Sequence, residues 1–278
     1  MPLEDELSDI IKKARTGQQR SVADVARLSG LPVADVTELE RGQAPRRREQ
    51  VLAVASALGL KQDQLVQIAD GWTPRALPAS IPQVDTILGS IGGYEVKGYI
   101  VHDDGEAILV DTAYNAPAML DLLARRNLRL RAICLTHGHS DHAEGIEHIL
   151  RASSVPVYLG PDDVNLLGWR PSRDVLRVPT DGERLPVGGV TLRFMNTPGH
   201  TPGGICYQVE QGGPPICFVG DTLFAGSIGR SNPAGLYQTH LESVRRRVLT
   251  LPSHTWLFPG HGPATTVGEE LLHNPFAA

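Results

Sequence analysis

Three imidazoles and one carboxylate fall within a single short stretch, Thr136-His137-Gly138-His139-Ser140-Asp141-His142. Imidazole nitrogen and carboxylate oxygen suit zinc, iron or manganese. One histidine on a loop is an ordinary polar residue, but four metal-competent groups at HxHxDH spacing make a metal site. The run 131–135 directly before them reads as a short buried strand. That places the cluster on the loop at the strand's C-terminal end. Three more motifs follow: Asn196-Thr197-Pro198-Gly199-His200-Thr201-Pro202-Gly203, Val219-Gly220-Asp221-Thr222-Leu223-Phe224 and Leu257-Phe258-Pro259-Gly260-His261-Gly262. Each sets a single His or Asp beside glycine, where the backbone can turn sharply at a strand end.

The elements that must position these groups lie in the C-terminal two thirds of the chain, where short apolar runs alternate with Gly/Pro turns and a few helices. The first 70 residues read instead as short helices with no strand signal. Between them Gly71-Trp72-Thr73-Pro74-Arg75-Ala76-Leu77-Pro78-Ala79-Ser80-Ile81-Pro82 carries three prolines and reads as a semi-rigid linker. The expected organisation is a helical domain over 1–70, a linker over 71–82 and the metal-bearing domain over 83–278.

Over 278 residues, 41% hydrophobic and 21% charged residues are ordinary for a soluble globular protein. A net charge of -5 gives no global case for binding nucleic acid or an anionic membrane. No apolar stretch approaches the roughly 20 residues needed to span a bilayer, and the start of the sequence lacks a basic-then-apolar leader. A cytoplasmic protein without a membrane partner is expected. Cys134, Cys206 and Cys217 sit in strand-like runs and are expected to be reduced packing residues, the last two as neighbours across a hairpin.

In the helical part, Ala26 is small enough to let two helices cross, Gly30 makes a tight turn, and Val25, Leu31, Val36 and Leu39 fill the angle. With Glu40-Arg41-Gly42 and the helical run that follows, residues 5–70 resemble the phage-repressor-type helix-turn-helix family. The resemblance implies a five-helix DNA-binding domain, commonly dimeric, with DNA contacts from Thr37, Arg46 and Arg47. The residues offer a second use. None of the groove-facing Pro32, Val33, Ala34, Thr37 and Glu38 is the Arg, Lys, Asn or Gln that reads base edges best. Eleven Lys/Arg against eleven Asp/Glu leave residues 1–75 near neutral. Such a unit can serve dimerisation or cover a substrate pocket.

The histidine cluster, the Gly-His turn, the Gly-Asp turn and the final Gly-His turn, in this order over about residues 80–278, resemble the metallo-β-lactamase superfamily. The resemblance implies an α+β chain: an αββα sandwich, here preceded by a small all-α domain, with the site at one edge of the two sheets. It assigns His137, His139 and His200 to one metal, Asp141, His142 and His261 to a second, and Asp221 to a bridge between them. The cofactor implied is two divalent metals, zinc first, with iron or manganese as alternatives. Asp141 and Asp221 would be the carboxylates at the reacting centre. Asp111 matches the family's strand-end aspartate, which orients a ligand histidine. His102, His148, His240, His254 and His273 show no paired spacing and are expected at the surface or in packing.

Within the superfamily the chain resembles most the glyoxalase II-type hydrolases, through Gly220-Asp221-Thr222-Leu223-Phe224-Ala225-Gly226-Ser227-Ile228-Gly229-Arg230 and the stretch from Pro259-Gly260-His261 to His273-Asn274-Pro275-Phe276. The resemblance implies thioester hydrolysis, metal-bound hydroxide attacking the acyl carbonyl, with S-lactoylglutathione as candidate substrate and Arg230 meeting a substrate carboxylate. The loop after Arg230 carries Asn232 where relatives usually have Asp. Two other readings stand beside this one. A persulfide dioxygenase of the same superfamily would hold one Fe(II) on His137, His200 and Asp221. A metabolite-sensing regulator would couple the metal domain to a DNA-binding dimer.

Overall fold

The computed structural model describes residues 2–78 and 81–277. Ala79 and Ser80 of the expected linker, and the two terminal residues of the expected domains, lie outside the described residues.

Five helices come first: α1 Leu7–Gly17, α2 Val22–Ser29, α3 Val33–Glu40, α4 Arg48–Leu58 and α5 Gln62–Ala69. Local chemistry sets their ends. Ser21 accepts from the Asp24 N–H while the Asp24 carboxylate accepts from the Ser21 N–H, closing α2 at its start. Gly30 ends α2 at φ 71°, a left-handed turn that places α3 across it. Val25 and Val36 are fully buried in that crossing. Arg15 clamps the Glu40 carboxylate with two hydrogen bonds and so ties α1 to α3.

Twelve strands among the described residues form two six-stranded sheets. The first runs β1 Val84–Ile91, β2 Tyr94–Asp103, β3 Glu106–Val110, β4 Arg129–Cys134, β5 Val157–Tyr158 and β6 Leu176–Arg177, in sequence order. Its first three strands are antiparallel; β3 to β6 are parallel, joined by crossovers that contain helices α6 Ala116–Arg125, α7 Ser140–Ala143 and α8 Ile146–Ala152. The second sheet has β7 Arg184–Val187, β8 Val190–Asn196, β9 Ile205–Gln211, β10 Ile216–Gly220, β11 Trp256–Pro259 and β12 Thr265–Thr266. Helices α9 Tyr237–Ser243 and α10 Val267–His273 accompany it.

Side-chain alternation sorts the strands into layers. Val101, Ile108, Val110 and Cys134 of the first sheet meet Phe194, Tyr207, Phe218 and Phe258 of the second in the central core. Ile100, Leu109 and Ile133 point the other way, to Met119, Leu123 and Ile149 of α6 and α8. On the far face of the second sheet, Met195, Cys206, Cys217, Val219 and Leu257 join one continuous cluster with Leu241, Val244, Val248 and Phe276. The same cluster contains Ile10, Ile11, Val25, Val36, Val54, Leu58 and Leu65 of the five N-terminal helices. The α+β class and the two facing sheets with outer helices are as expected; the shared core is more than a linker reading implies.

The segment joining the two parts lies along the sandwich. Trp72 stacks on His273 at 4.8 Å between ring centroids, and Arg75 sits over Trp256 at 4.7 Å while its N–H donates to Glu269. Lys61 N–H donates to the Pro275 carbonyl. The three cysteines are free and buried, with Cys206 and Cys217 on adjacent strands. No helix among the described residues is long and apolar enough to cross a membrane.

Candidate metal centre

The histidine cluster begins three residues after β4, on the loop where strand ends meet from both sheets. His137 is almost fully buried, His139 half-buried, and Asp141 and His142 follow on the single turn α7. His200 lies on the turn after β8, Asp221 directly after β10, and His261 two residues after β11. All seven predicted ligands converge. His137, His139 and His200 form one group, His137, Asp141 and His142 a second, and His142, Asp221 and His261 a third, each with ligand atoms within 4.8 Å of one another.

Glycine makes this approach possible. A Cβ on Gly260 would fall 2.3 Å from the His142 ring and 2.6 Å from Asp221 Oδ1. Gly220, at φ 48°, would drive a Cβ to 2.3 Å from Thr136 Oγ1. Both positions therefore admit only the residue without a side chain.

Four of the five imidazoles have Nδ1 occupied from behind. His200 Nδ1–H donates to the Arg230 carbonyl at 2.7 Å, and His261 Nδ1–H to the Glu95 carbonyl at 2.6 Å. His142 Nδ1–H donates to Asp111 Oδ2 at 2.8 Å. Thr136 Oγ1 donates to the same carboxylate oxygen at 2.7 Å, which leaves its lone pair to accept from His137 Nδ1–H at 3.1 Å. Each Nε2 is thus left as a lone pair turned inward. His139 presents Nδ1 instead, 3.0 Å from His200 Nε2.

A cation fits this donor set. His137 Nε2, His142 Nε2 and Asp221 Oδ1 are buried without a hydrogen-bond partner, a costly state that ligation would relieve. Two ligands at 2.0–2.1 Å on a tetrahedral ion stand roughly 3.3 Å apart. Observed separations are 3.0 Å for His139 to His200, 3.3 Å for His142 to Asp221 Oδ1, 3.6 Å for His200 to Asp221 Oδ2 and 3.1 Å for His261 to Asp141. The two Asp221 oxygens face different histidines, as a shared carboxylate must. The His/Asp cluster can hold a dinuclear centre.

Charge follows the geometry. Burial pushes His137 well below the ordinary histidine range, and pushes His200 down to about 4. Burial opposes charge on His142 and His261 too, but the neighbouring carboxylates outweigh it. His142 lies well above the usual range through Asp221 and Asp111, and His261 is raised to about 9 by Asp221 and Asp141. Asp221 is held well below the carboxylate range against its own burial by His142, His261 and His200.

Asp111 lies behind His142 and Thr136. It is 1% exposed, adopts φ 56°, and also accepts the Thr136 N–H at 2.7 Å. Asp163 was not legible in the sequence. It is fully buried and accepts from Gly138 N–H, Thr201 Oγ1 and Gly203 N–H, so one carboxylate pins the His137–His139 loop to the His200 turn. The residue lies in an unremarkable Pro161-Asp162-Asp163 stretch, and no local signal marks it. Arg230 has an exposed side chain beside the site, while its carbonyl orients His200. His240 is a fully buried packing residue between Thr222 and Ser231; His148 and His254 are exposed. The residues expected to meet DNA have local partners or face solvent. Thr37 Oγ1 donates to the Val33 carbonyl of its own helix, Arg46 pairs with Glu38, and Arg47 is exposed just before α4.

Comparison with known proteins agrees with this arrangement. The family model described as "Metallo-beta-lactamase superfamily" matches residues 91–261. The probable metallo-hydrolase YqgX of Bacillus subtilis is 32% identical over 67% of this chain and 94% of its own length. The hydroxyacylglutathione hydrolase GloC of Haemophilus influenzae is 30% identical over 63% of this chain and 88% of its own. The crystal structure of TTHA1623 in a di-iron-bound form superposes with a TM-score of 0.59 at 31% identity, covering 68% of this chain and 99% of that one. With the family model matching more than half of its length, the chain belongs to the metallo-β-lactamase superfamily.

Proposed function

We propose that this protein is a metal-dependent thioester hydrolase of the glyoxalase II type, with S-lactoylglutathione as the first substrate to test. The observation that carries the reading is donor orientation. Hydrogen bonds behind His137, His142, His200 and His261 turn their Nε2 atoms toward two positions that share Asp221. His137, His139 and His200 would hold one cation, Asp141, His142 and His261 the other, and Asp221 would join them. Divalent cations bound there supply Lewis acidity toward an acyl oxygen and a water whose pKa falls to about 7. The chain's own part is to turn the Nε2 atoms inward, keep His137 and His200 neutral, hold the Asp221 carboxylate ionised, and exclude water behind the ligands. The exposed Arg230 guanidinium, beside His200, is suited to a carboxylate on the substrate.

The likeness to the Haemophilus hydroxyacylglutathione hydrolase supports the substrate class. Zinc is the proposed metal, and the di-iron form of a similar structure keeps iron as an alternative. Residues 1–70 are read as a docked unit covering the sandwich. Arg46 paired with Glu38, and Gln50 holding Asp35, support cover rather than base reading.

The test is metal content of protein purified anaerobically without added metal, followed by thiol release from S-lactoylglutathione and other thioesters. Two metals per chain with thiol release support the proposal. One iron per chain, with oxygen consumed alongside a persulfide and no thioester cleaved, would replace it with the dioxygenase reading.

A further inference from the structure

Residues 222–230 form a strap that begins at Asp221 and ends at the Arg230 carbonyl, which fixes the His200 ring. It runs tight against both ligands: a Cβ on Gly229 would fall 2.0 Å from the Asp221 carbonyl and 2.9 Å from His200 Nδ1. Any shift of the strap therefore moves the groups that aim Asp221 and His200.

The strap is held from two sides. From the sandwich, Glu270 accepts the Gly226 N–H at 3.0 Å and Asn274 donates to the Ser227 carbonyl at 2.9 Å. The other anchors come from the N-terminal helical part. Asp5, 5% exposed, accepts from Ser227 Oγ at 2.5 Å and ion-pairs with Lys13 through the same oxygen. Lys13 Nζ donates to the Ile228 carbonyl at 2.9 Å and lies 4.8 Å above the Phe224 ring. Ile68 and Trp72 close on Gly226. His261 Nδ1 is tied to the Glu95 carbonyl on β2, outside the strap, while its ring meets the strap's Phe224 edge-on at 6.0 Å between centroids and Glu4 rests on its neighbour Gly262. The similar di-iron structure matches 68% of this chain over 99% of its own length.

We propose that Asp5 and Lys13 are positioning residues of the metal centre. Through Ser227 and Ile228 they fix the strap that orients His200 and runs against Asp221, so the helical part sets the metal affinity of the His137–His139–His200 position more strongly than that of the other. The inference rests on the ligand assignment proposed above.

The test uses the full-length chain and zinc competition with a chromophoric chelator. His261→Ala is the background that leaves the first position, and His139→Ala the one that leaves the second. Asp5→Ala should weaken zinc about tenfold in the His261→Ala background and leave the His139→Ala background within about threefold. Asp5→Asn, which keeps an acceptor for Ser227, should recover most of the loss. Equal weakening in both backgrounds, or none, would overturn the inference. Should Asp5→Ala not fold, Lys13→Met takes its place under the same criterion. Backgrounds that do not each bind one zinc would remove the ligand assignment, and this inference with it.

Discussion

One carboxylate oxygen, Asp111 Oδ2, accepts from both His142 Nδ1 and Thr136 Oγ1, and Thr136 in turn accepts from His137. A single atom thus sets the proton position on two ligands that the proposal places on different metals. Asp111→Asn tests this with little change of shape, since Asn tolerates the φ of 56° at this position. An amide nitrogen in place of Oδ2 faces the His142 N–H with a donor, and the ring must move its proton to Nε2 to accept. The same nitrogen donates to Thr136, whose hydroxyl then turns its proton on His137 Nδ1. Both Nε2 lone pairs would be lost. Replacing such a partner weakens a metal about 10- to 100-fold, or about 1.4–2.7 kcal/mol at each position. Thr136→Val removes the hydroxyl's bonds to His137 and Asp111 Oδ2 but keeps the Thr136 N–H bond to Asp111 Oδ1 and the His142 bond to Oδ2, and should weaken one position alone. Asp111→Ala is less informative, as it also strands a buried N–H at a cost of about 1–3 kcal/mol. The assay is stepwise zinc binding against a chelator of known affinity, with melting curves of the metal-free proteins. Wild-type affinity at both positions in a folded Asp111→Asn protein would refute the relay.

Asp221→Ala should abolish activity and remove most metal from both positions, whereas His261→Ala should empty mainly one; elemental analysis decides, and full activity in Asp221→Ala would end the assignment. Asp163→Ala leaves the Gly138 and Gly203 N–H groups unpaired, so thermal unfolding should show a loss of about 1–3 kcal/mol for each; an unchanged melting temperature would show the clamp to be idle. Glu270 is raised to about 7, chiefly by burial, against hydrogen bonds from Thr265, Asn274 and Gly226. Its folded value lies above its unfolded one, so this stabilising contribution is full below the ordinary carboxylate value and fades as pH rises through about 7. The difference is on the order of 3 kcal/mol. Glu270→Gln should flatten that decline, and stability curves of the two proteins that run parallel from pH 5 to 8 would contradict it.

The convergence of the candidate ligands was legible because metal chemistry restricts residue types and because glycine is obligatory where their rings and the backbone crowd, as at Gly220 and Gly260. The layers were legible in outline because strands such as Phe194-Met195 and Phe218-Val219 alternate between two apolar cores, which gives runs hydrophobic on both faces. Asp163 was hidden because its partners at 138, 201 and 203 meet it only after two sheets have assembled. The role of the Arg230 carbonyl was hidden because backbone groups are the same in every residue; the side chain drew attention instead. The docking of the helical part escaped the proline-rich reading of residues 71–82 for a related reason. Composition describes how stiff a segment is, and says nothing about whether the surfaces on either side of it are complementary.

That docking has a consequence for how such a chain can change over generations. The far face of the second sheet presents Met195, Cys206, Cys217, Val219 and Leu257 to a cluster shared with the helices. Loss of the helical part would leave that cluster partly bare, a patch of the kind that drives aggregation. Deletion would have to be accompanied by several polar replacements on the sheet and along α9 at once. No single step among them is favourable alone. The fold is held to its helices by its own surface.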